Sequence, residues 1–375
     1  MTDTVATTAS VDGDAPLLVV DNLVTHFIAG RRRIRAVDGV SFRLARGATL
    51  GVVGESGSGK TIMARSLMGL LPEEGLFQAG SVRFEGEELI GLSKRQHRAI
   101  WGPGMAMVFQ DPLTSLNPVM RIGPQITEAI KAHRKIGRTD ALDLAVDLLR
   151  SVHIPEPERR LGQYPNELSG GMRQRVAIAI ALSCGPRLLI ADEPTTALDV
   201  TIQAEILDLL QELQQQRGMS LILVSHDLAV VAGRTDQVAV MYGGKIVEHG
   251  PTVAVFEQTR MPYTEALLGA IPRLELPSHS KLQAIGGRPP DPSASPMGCS
   301  FSPRCPYTQA KCEGEAPPLE RTDSSDHLYA CWYPLEPRTP PRAAVEGEHG
   351  APEPGSPEPG GRNGAARPVT RAAGA

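Results

Sequence analysis

The sequence predicts an α/β domain built around a mostly parallel sheet, and two features carry that expectation. From Leu17 to about Gly250, short apolar runs (Leu17 to Val20, Thr49 to Val53, Arg187 to Ala191, Ser220 to Ser225) alternate with longer segments of helical period. This is the pattern of strands covered on both faces by helices. The run Thr49 to Val53 then passes directly into Gly54-Glu55-Ser56-Gly57-Ser58-Gly59-Lys60-Thr61 and a helix-forming stretch, Ile62 to Leu70. That is a G-x-x-x-x-G-K-[ST] phosphate loop in the strand-loop-helix setting its chemistry requires.

In chain order, residues 1–16 read as a disordered tail of small and polar residues with no sustained period. Residues 17–255 form the nucleotide-binding domain. Within it the strands stop between Gln110 and Leu168, where Ile126 to Lys135 and Thr139 to Val152 read as helices. The second carries Leu142, Ala145, Val146, Leu149 and Val152 at helical spacing, and the span of about 111–168 is expected to be an inserted helical subdomain. Residues 256–336 are a Pro-rich extension with a short helix around Tyr263 to Ala270 and four clustered cysteines. Residues 337–375, rich in Pro, Gly, Ala, Arg and Glu, are expected to be disordered.

Composition narrows the function. With 41% apolar and 21% charged residues and a net charge of −4, the chain is globular and has no electrostatic call for nucleic acid as its main ligand. No run approaches the roughly 20 apolar residues needed to cross a bilayer; the most apolar stretch is Val176 to Ser183. The N-terminus lacks the blocks of a signal peptide, so a cytoplasmic location is expected, and any membrane role is borrowed from partners. The basic run Arg31, Arg32, Arg33 and Arg35 reads as a solvated loop between two early strands.

The phosphate loop assigns roles by chemistry. Gly54, Gly57 and Gly59 let the backbone wrap closely, and the loop's N–H groups, including those of Ser56 and Ser58, together with the following helix N-terminus face phosphates. Lys60 neutralises the β and γ charges, and Thr61 offers a hydroxyl to Mg²⁺. Leu188-Leu189-Ile190-Ala191 ends in Asp192 and Glu193; Asp192 suits the Mg²⁺ shell and Glu193 the general base that polarises water. Leu168-Ser169-Gly170-Gly171-Met172 opens another helix, with Ser169 as N-cap and two glycines permitting close approach. One domain has no use for two phosphate elements. The resolution is that Ser169, Gly170 and Gly171 close over a nucleotide held by another subunit.

These elements together resemble an ABC ATPase, a P-loop NTPase core with an inserted helical subdomain and, here, a small Cys-containing C-terminal extension. The resemblance implies that Gln110 is the glutamine that senses the γ-phosphate and Mg²⁺, that Ala197-Leu198-Asp199 touches the opposite subunit, and that His226 contacts the γ-phosphate. It places Phe27 as the aromatic under adenine, with Ile34 or Val37 as alternatives for that face. The narrower resemblance is to ATP-binding subunits of oligopeptide and dipeptide importers, including relatives that carry nickel. It runs through the phosphate loop, Phe109-Gln110-Asp111-Pro112-Leu113-Thr114-Ser115-Leu116-Asn117-Pro118 and Asp192-Glu193-Pro194-Thr195-Thr196-Ala197-Leu198-Asp199-Val200-Thr201. Pro262-Tyr263-Thr264 resembles that family's His-Pro-Tyr-Thr element, with Met261 where His is usual.

Cys299, Cys305, Cys312 and Cys331 supply four thiols, enough for either a [4Fe–4S] cluster or tetrahedral zinc. The family resemblance implies the cluster, but the spacing lacks close C-x2-C pairs, which keeps zinc and free thiols open. Cys184, on an apolar helix, reads as packing. The resemblance further implies ATP and Mg²⁺ as ligands, two transmembrane permease subunits and a second ATP-binding subunit, with a heterodimer expected and a homodimer the alternative. It also implies an extracellular substrate-binding protein acting indirectly, no nucleic acid, and a peripheral place on the cytoplasmic face of the membrane. Two other classes compete: a non-transport ABC ATPase acting on ribosomes or DNA, and an iron–sulfur redox or sensing module. A GTPase is disfavoured because no N-K-x-D guanine-reading motif is present.

Overall fold

A computed structural model of the chain describes residues 15–110, 115–196, 198–271, 285–294, 297–322 and 326–336. The two terminal tails, Asp111 to Thr114 and Ala197 lie outside the described residues.

The parallel core has the strand order β9-β3-β8-β7-β6, formed by Gln237–Tyr242 (β9), Thr49–Val53 (β3), Ser220–Ser225 (β8), Leu188–Asp192 (β7) and Met105–Val108 (β6). Every residue of β3, β6, β7 and β8 is buried, which explains why they read as continuous apolar runs rather than as alternating ones. The sheet continues antiparallel through Lys245–Pro251 (β10), Leu328–Tyr329 (β12) and Glu320–Arg321 (β11). The C-terminal extension is therefore woven into the edge of the central sheet.

The N-terminal run belongs to a different sheet. Leu18–Ala29 (β1) and Arg32–Leu44 (β2) are joined by Gly30 and Arg31 alone, and so short a link permits only an antiparallel hairpin. Leu76–Phe84 (β4) and Glu87–Glu88 (β5) complete this four-stranded layer in the order β2-β1-β4-β5. The arginine run accordingly lies mostly in β2, where Arg33 stands over the Phe77 ring at 5.4 Å. One apolar cluster joins this layer to helix Lys60–Leu67 and one side of the parallel sheet, through Leu23, Phe42, Leu50, Met63 and Ile190.

The insertion is helical, with helices Ile122–His133 and Arg138–Ser151. Ile122, Ile126 and Ile130, four residues apart, put one stripe of the first into the core. The second departs from its expected face. Leu142 is 37% exposed, and the buried positions are Ala141, Ala145, Leu148 and Leu149. One residue is about 100° of helix, so a stripe drawn through Leu142 instead of Ala141 turns a solvent residue inward. Cys184 packs as expected, with its thiol 3.7 Å from the Ala129 carbonyl oxygen.

Side-chain caps fix the starts of the helices that follow Ser169 and Asp199. Ser169 Oγ accepts the Met172 N–H at 3.3 Å at the head of helix Gly170–Leu182, and Asp199 Oδ1 accepts the Ile202 N–H at 2.9 Å at the head of Val200–Arg217. Gly218, left-handed at φ 61°, ends the latter. Among the described residues no helix is long and apolar enough to cross a membrane.

Candidate functional site

The phosphate loop lies between β3 and helix Lys60–Leu67, against the start of the β9–β10 turn. Two of its glycines are dictated by space as well as by backbone angle. At Gly54 (φ 152°) a Cβ would fall 2.2 Å from the Met241 carbonyl oxygen, and at Gly59 (φ 104°) it would fall 2.2 Å from that of Ala36. The Lys60 side chain, 4% exposed, folds back on the loop and donates to the carbonyls of Gly54 at 2.7 Å and Glu55 at 3.0 Å. Burial lowers its pKa, against the opposing fields of Glu193, Asp192 and Glu55.

Strand β7 delivers the acids. Asp192 is fully buried; its Oδ1 accepts the Thr61 hydroxyl at 3.0 Å, while Oδ2 is buried with no hydrogen-bond partner. Burial raises the Asp192 pKa, with the Thr61 hydrogen bond opposing. A buried carboxylate oxygen with an open lone pair beside a threonine hydroxyl is an oxygen donor set suited to a hard divalent cation.

Glu193 follows in a left-handed conformation, φ 45°. Its Oε2 accepts from Gln110 Nε2 at 3.0 Å and from the Thr196 hydroxyl at 3.0 Å, and faces His226 Nδ1 at 3.2 Å. Its Oε1 stands 4.0 Å from Lys60 Nζ. The His226 hydrogen bond is the main influence holding the Glu193 pKa below the usual carboxylate range, and the same bond raises that of His226. Gln110, Glu193 and His226, dispersed in sequence, thus meet at one carboxylate.

Glu193 also borders two cavities. One, of about 270 Å³, is lined by Ile34, Ala36, Ser56, Gly57, Gly59 to Ile62, Gln110 and Pro292 as well as Glu193. The other, of about 280 Å³, lies among Pro194 to Thr196, Leu198, Gln203 and Val224 to Asp227. Ser58, whose Oγ is buried and unpartnered, sits within the loop itself. Phe27 is the cross-strand partner of Ile34, on the same sheet face, but Ile34 and not Phe27 reaches the cavity. Val37 is fully buried in the core.

Ser169, Gly170 and Gly171 line neither cavity. Ser169 and Gly170 are exposed, and the turn packs on the segment that follows Glu193. A Cβ on Gly170 would meet Leu198 at 3.3 Å and one on Gly171 would meet Ile202 at 2.8 Å. Leu198 and Asp199 are described beside this turn, whereas Ala197 lies outside the described residues.

The four clustered cysteines, scattered over the extension, converge on one small cavity of about 20 Å³ with Met261, Phe301 and Tyr333. Burial pushes up the thiol pKa values of Cys299, Cys305 and Cys331, the last to about 11, and neighbouring cysteines push the same way. Among the described residues, however, no group of three or more His, Cys, Asp or Glu is arranged to hold a metal ion.

Sequence reasoning missed several contributors. Thr196, three residues after Glu193, was readable as a local partner of the acid. Pro292 was not; it enters because its carbonyl accepts the Arg35 N–H at 2.8 Å, tying the extension to β2. Arg304, 249 residues from Glu55, was equally silent, and Tyr263, noted only as part of the Pro-Tyr-Thr element, gave no sign that it holds Glu55 208 residues away.

The chain resembles known proteins over most of its length. The ABC transporter family matches residues 37–196, and the family described as the C-terminal region of oligopeptide/dipeptide transporters matches residues 247–312. The chain is 46% identical over 335 residues, covering 88% of itself and 93% of the relative, to the oligopeptide transport ATP-binding protein OppD of Bacillus subtilis. It is 46% identical over 320 residues, 85% of itself and 97% of the relative, to the dipeptide transport ATP-binding protein DppD of Escherichia coli. Among solved structures it resembles a dimeric ATP-binding cassette in a post-hydrolysis state bound to ADP and Pi, with TM-score 0.56 and 26% identity over 63% of this chain and 98% of that one.

Proposed function

This chain belongs to the ABC transporter ATPases, among the ATP-binding subunits of oligopeptide and dipeptide importers, and we propose that its Lys60–Glu193 site hydrolyses ATP to drive peptide import across the cytoplasmic membrane. The observation that carries this reading is the convergence of Gln110, Thr196, His226 and Lys60 on the Glu193 carboxylate at the edge of the phosphate-loop cavity.

In this reading the triphosphate lies along Ser56 to Thr61 with the loop N–H groups on its oxygens. Lys60 leaves the carbonyls of Gly54 and Glu55 for the β and γ charges. The sheet face bearing Phe27 and Ile34 supplies the apolar surface for adenine. Thr61 and Asp192, with Gln110, would hold Mg²⁺, which would supply neutralisation of phosphate charge. Glu193, flanked by a cavity on each side, orients and polarises the attacking water. Gln110 and His226 hold that carboxylate between turnovers and are released to the γ-phosphate when it arrives.

Ser169, Gly170 and Gly171, which do not line this cavity and of which the first two are exposed, act on the nucleotide of a second ATP-binding subunit, so that ATP joins two chains and its cleavage parts them. A heterodimer with a different ATP-binding chain, bound to two permease subunits and served by an extracellular binding protein, is the assembly we infer. Nickel is the alternative cargo within the same family reading. The four thiols line one cavity, and burial, with neighbouring cysteines adding to it, pushes up the pKa values of Cys299, Cys305 and Cys331, an effect that a bound soft cation would reverse by favouring thiolates. We assign them to a [4Fe–4S] cluster, with zinc as the other filling of the same donors; iron, sulfide and zinc content decide between the two.

The function is tested by uptake of labelled di- and oligopeptides in cells that depend on this chain. Uptake is expected with the wild type and lost with Lys60→Ala, and uptake that persists without Lys60 would overturn the reading.

A further inference from the structure

Arg304 sits in a single 3-10 turn, Ser302–Arg304, between Cys299 and Cys305. Its side chain is 3% exposed, and its guanidinium forms a fork on one carboxylate: Nη1 donates to Glu55 Oε2 at 2.6 Å and Nη2 to Glu55 Oε1 at 2.9 Å. Its remaining donors go to the carbonyls of Gly286 at 2.7 Å and Ile285 at 3.2 Å and to the Tyr242 hydroxyl at 3.2 Å. The turn that carries it is anchored by three rings, Tyr242, Tyr263 and Phe301, whose centroids lie 4.5 to 5.3 Å apart.

Glu55 is the second residue of the phosphate loop, and it is held at two further points. Its N–H donates to the Tyr263 hydroxyl at 2.8 Å, and its carbonyl accepts Lys60 Nζ at 3.0 Å. The residue that positions the loop lysine is therefore itself positioned by the extension, through side chain and backbone together. A bidentate charged fork is stronger and more directional than a neutral hydrogen bond, and a buried one leaves little freedom to either partner. Nothing in the chemistry of phosphate binding requires an acid at this point of the loop, and Glu55 does not line the phosphate-loop cavity. Its contact with Arg304 gives the acid a purpose.

We propose that Arg304 is a positioning residue of the nucleotide site: its fork on Glu55 presets the phosphate loop, so that ATP affinity depends on the folded C-terminal extension. This rests on the phosphate-loop reading above. The extension is then a part of the nucleotide site, and any change that displaces the 299–305 turn reaches Lys60 through two hydrogen-bonded contacts.

The test is a steady-state comparison of ATP KM and kcat in the full chain for wild type, Arg304→Ala, Arg304→Lys, Glu55→Gln and the Arg304→Ala/Glu55→Gln double variant. Removing the fork is expected to raise KM about tenfold or more, with kcat changing less. Arg304→Lys should recover only part, because an ammonium cannot form the fork. The double variant should be no worse than the worse single one, since both remove the same contact. A KM unchanged in both Glu55→Gln and Arg304→Lys, additive effects in the double variant, or loss of melting temperature and kcat at constant KM would each overturn the proposal. Lys60→Ala keeps this distinct from the parent reading. Normal ATP affinity there rejects the phosphate loop itself, whereas weakened affinity there with an indifferent Arg304 rejects only the positioning role.

Discussion

Gln110 Nε2 lies 3.0 Å from Glu193 Oε2, so a residue two places beyond β6 and the acid that directly follows β7 are joined at the phosphate-loop cavity. That oxygen also takes the Thr196 hydroxyl and faces His226. Three groups crowd one oxygen of Glu193, and engaging water through it requires Gln110 and His226 to give way.

Glu193→Gln is therefore expected to keep ATP affinity within a few fold while lowering kcat by about 10² to 10⁴, the usual contribution of a positioned base. The amide preserves the shape but has no basic oxygen. Equilibrium nucleotide binding and single-turnover hydrolysis check this; wild-type turnover in the variant would remove Glu193 from the role.

The His226–Glu193 pair gives a pH signature. Since its hydrogen bond to Glu193 raises the His226 pKa above 6.5, the stability it contributes is full below 6.5 and fades as pH rises through the raised native value. Because the Glu193 pKa is lowered from 4.5, its share is present above 4.5 and is lost as pH falls through the lowered native value. The pair is thus intact between those two native values. NMR titration of His226 should show a raised pKa that returns to the ordinary range in Glu193→Gln. High salt should shrink the shift, because the imidazole is 56% exposed.

Asp192 predicts opposite effects on stability and activity. Burial with one unpartnered oxygen raises its pKa, so ionisation opposes folding: the nucleotide-free chain loses stability as pH rises from 3.8 through the raised native value. Asp192→Asn should leave denaturant stability at pH 7 unchanged or raise it by about 1 kcal/mol, while Mg²⁺-dependent hydrolysis falls by about 10². A variant clearly less stable than the parent would mean the carboxylate is better satisfied than this geometry implies.

Much of the fold was legible because its key elements are local. A buried strand, a glycine loop and a helix in immediate succession identify Gly54 to Thr61, and an apolar strand ending in Asp192 and Glu193 marks the acids. The separate antiparallel layer was less visible, since a hairpin with Gly30 and Arg31 at its turn looks in sequence like one more strand of an alternating series. Helix Arg138–Ser151 was rotated in the reading because Leu142 outranks Ala141 in apolarity, while close packing there favours the smaller residue. In the site, Gln110 and His226 carried weak signals alone and were found through family resemblance. Arg304 and Pro292 carried none, and Tyr263, although part of the Pro-Tyr-Thr element, gave no sign of its contact with Glu55, because these contacts join segments about 200 or more residues apart and no period or motif encodes such distances.

We infer that this chain completes its ATPase unit with a second subunit, which a structure of the assembled transporter trapped with ATP in the Glu193→Gln background tests most directly. The expected result is Ser169 and the N–H groups of Gly170 and Gly171 within hydrogen-bond reach of the triphosphate held by the other ATP-binding subunit. A closed, ATP-loaded assembly in which that turn contacts no nucleotide would contradict it.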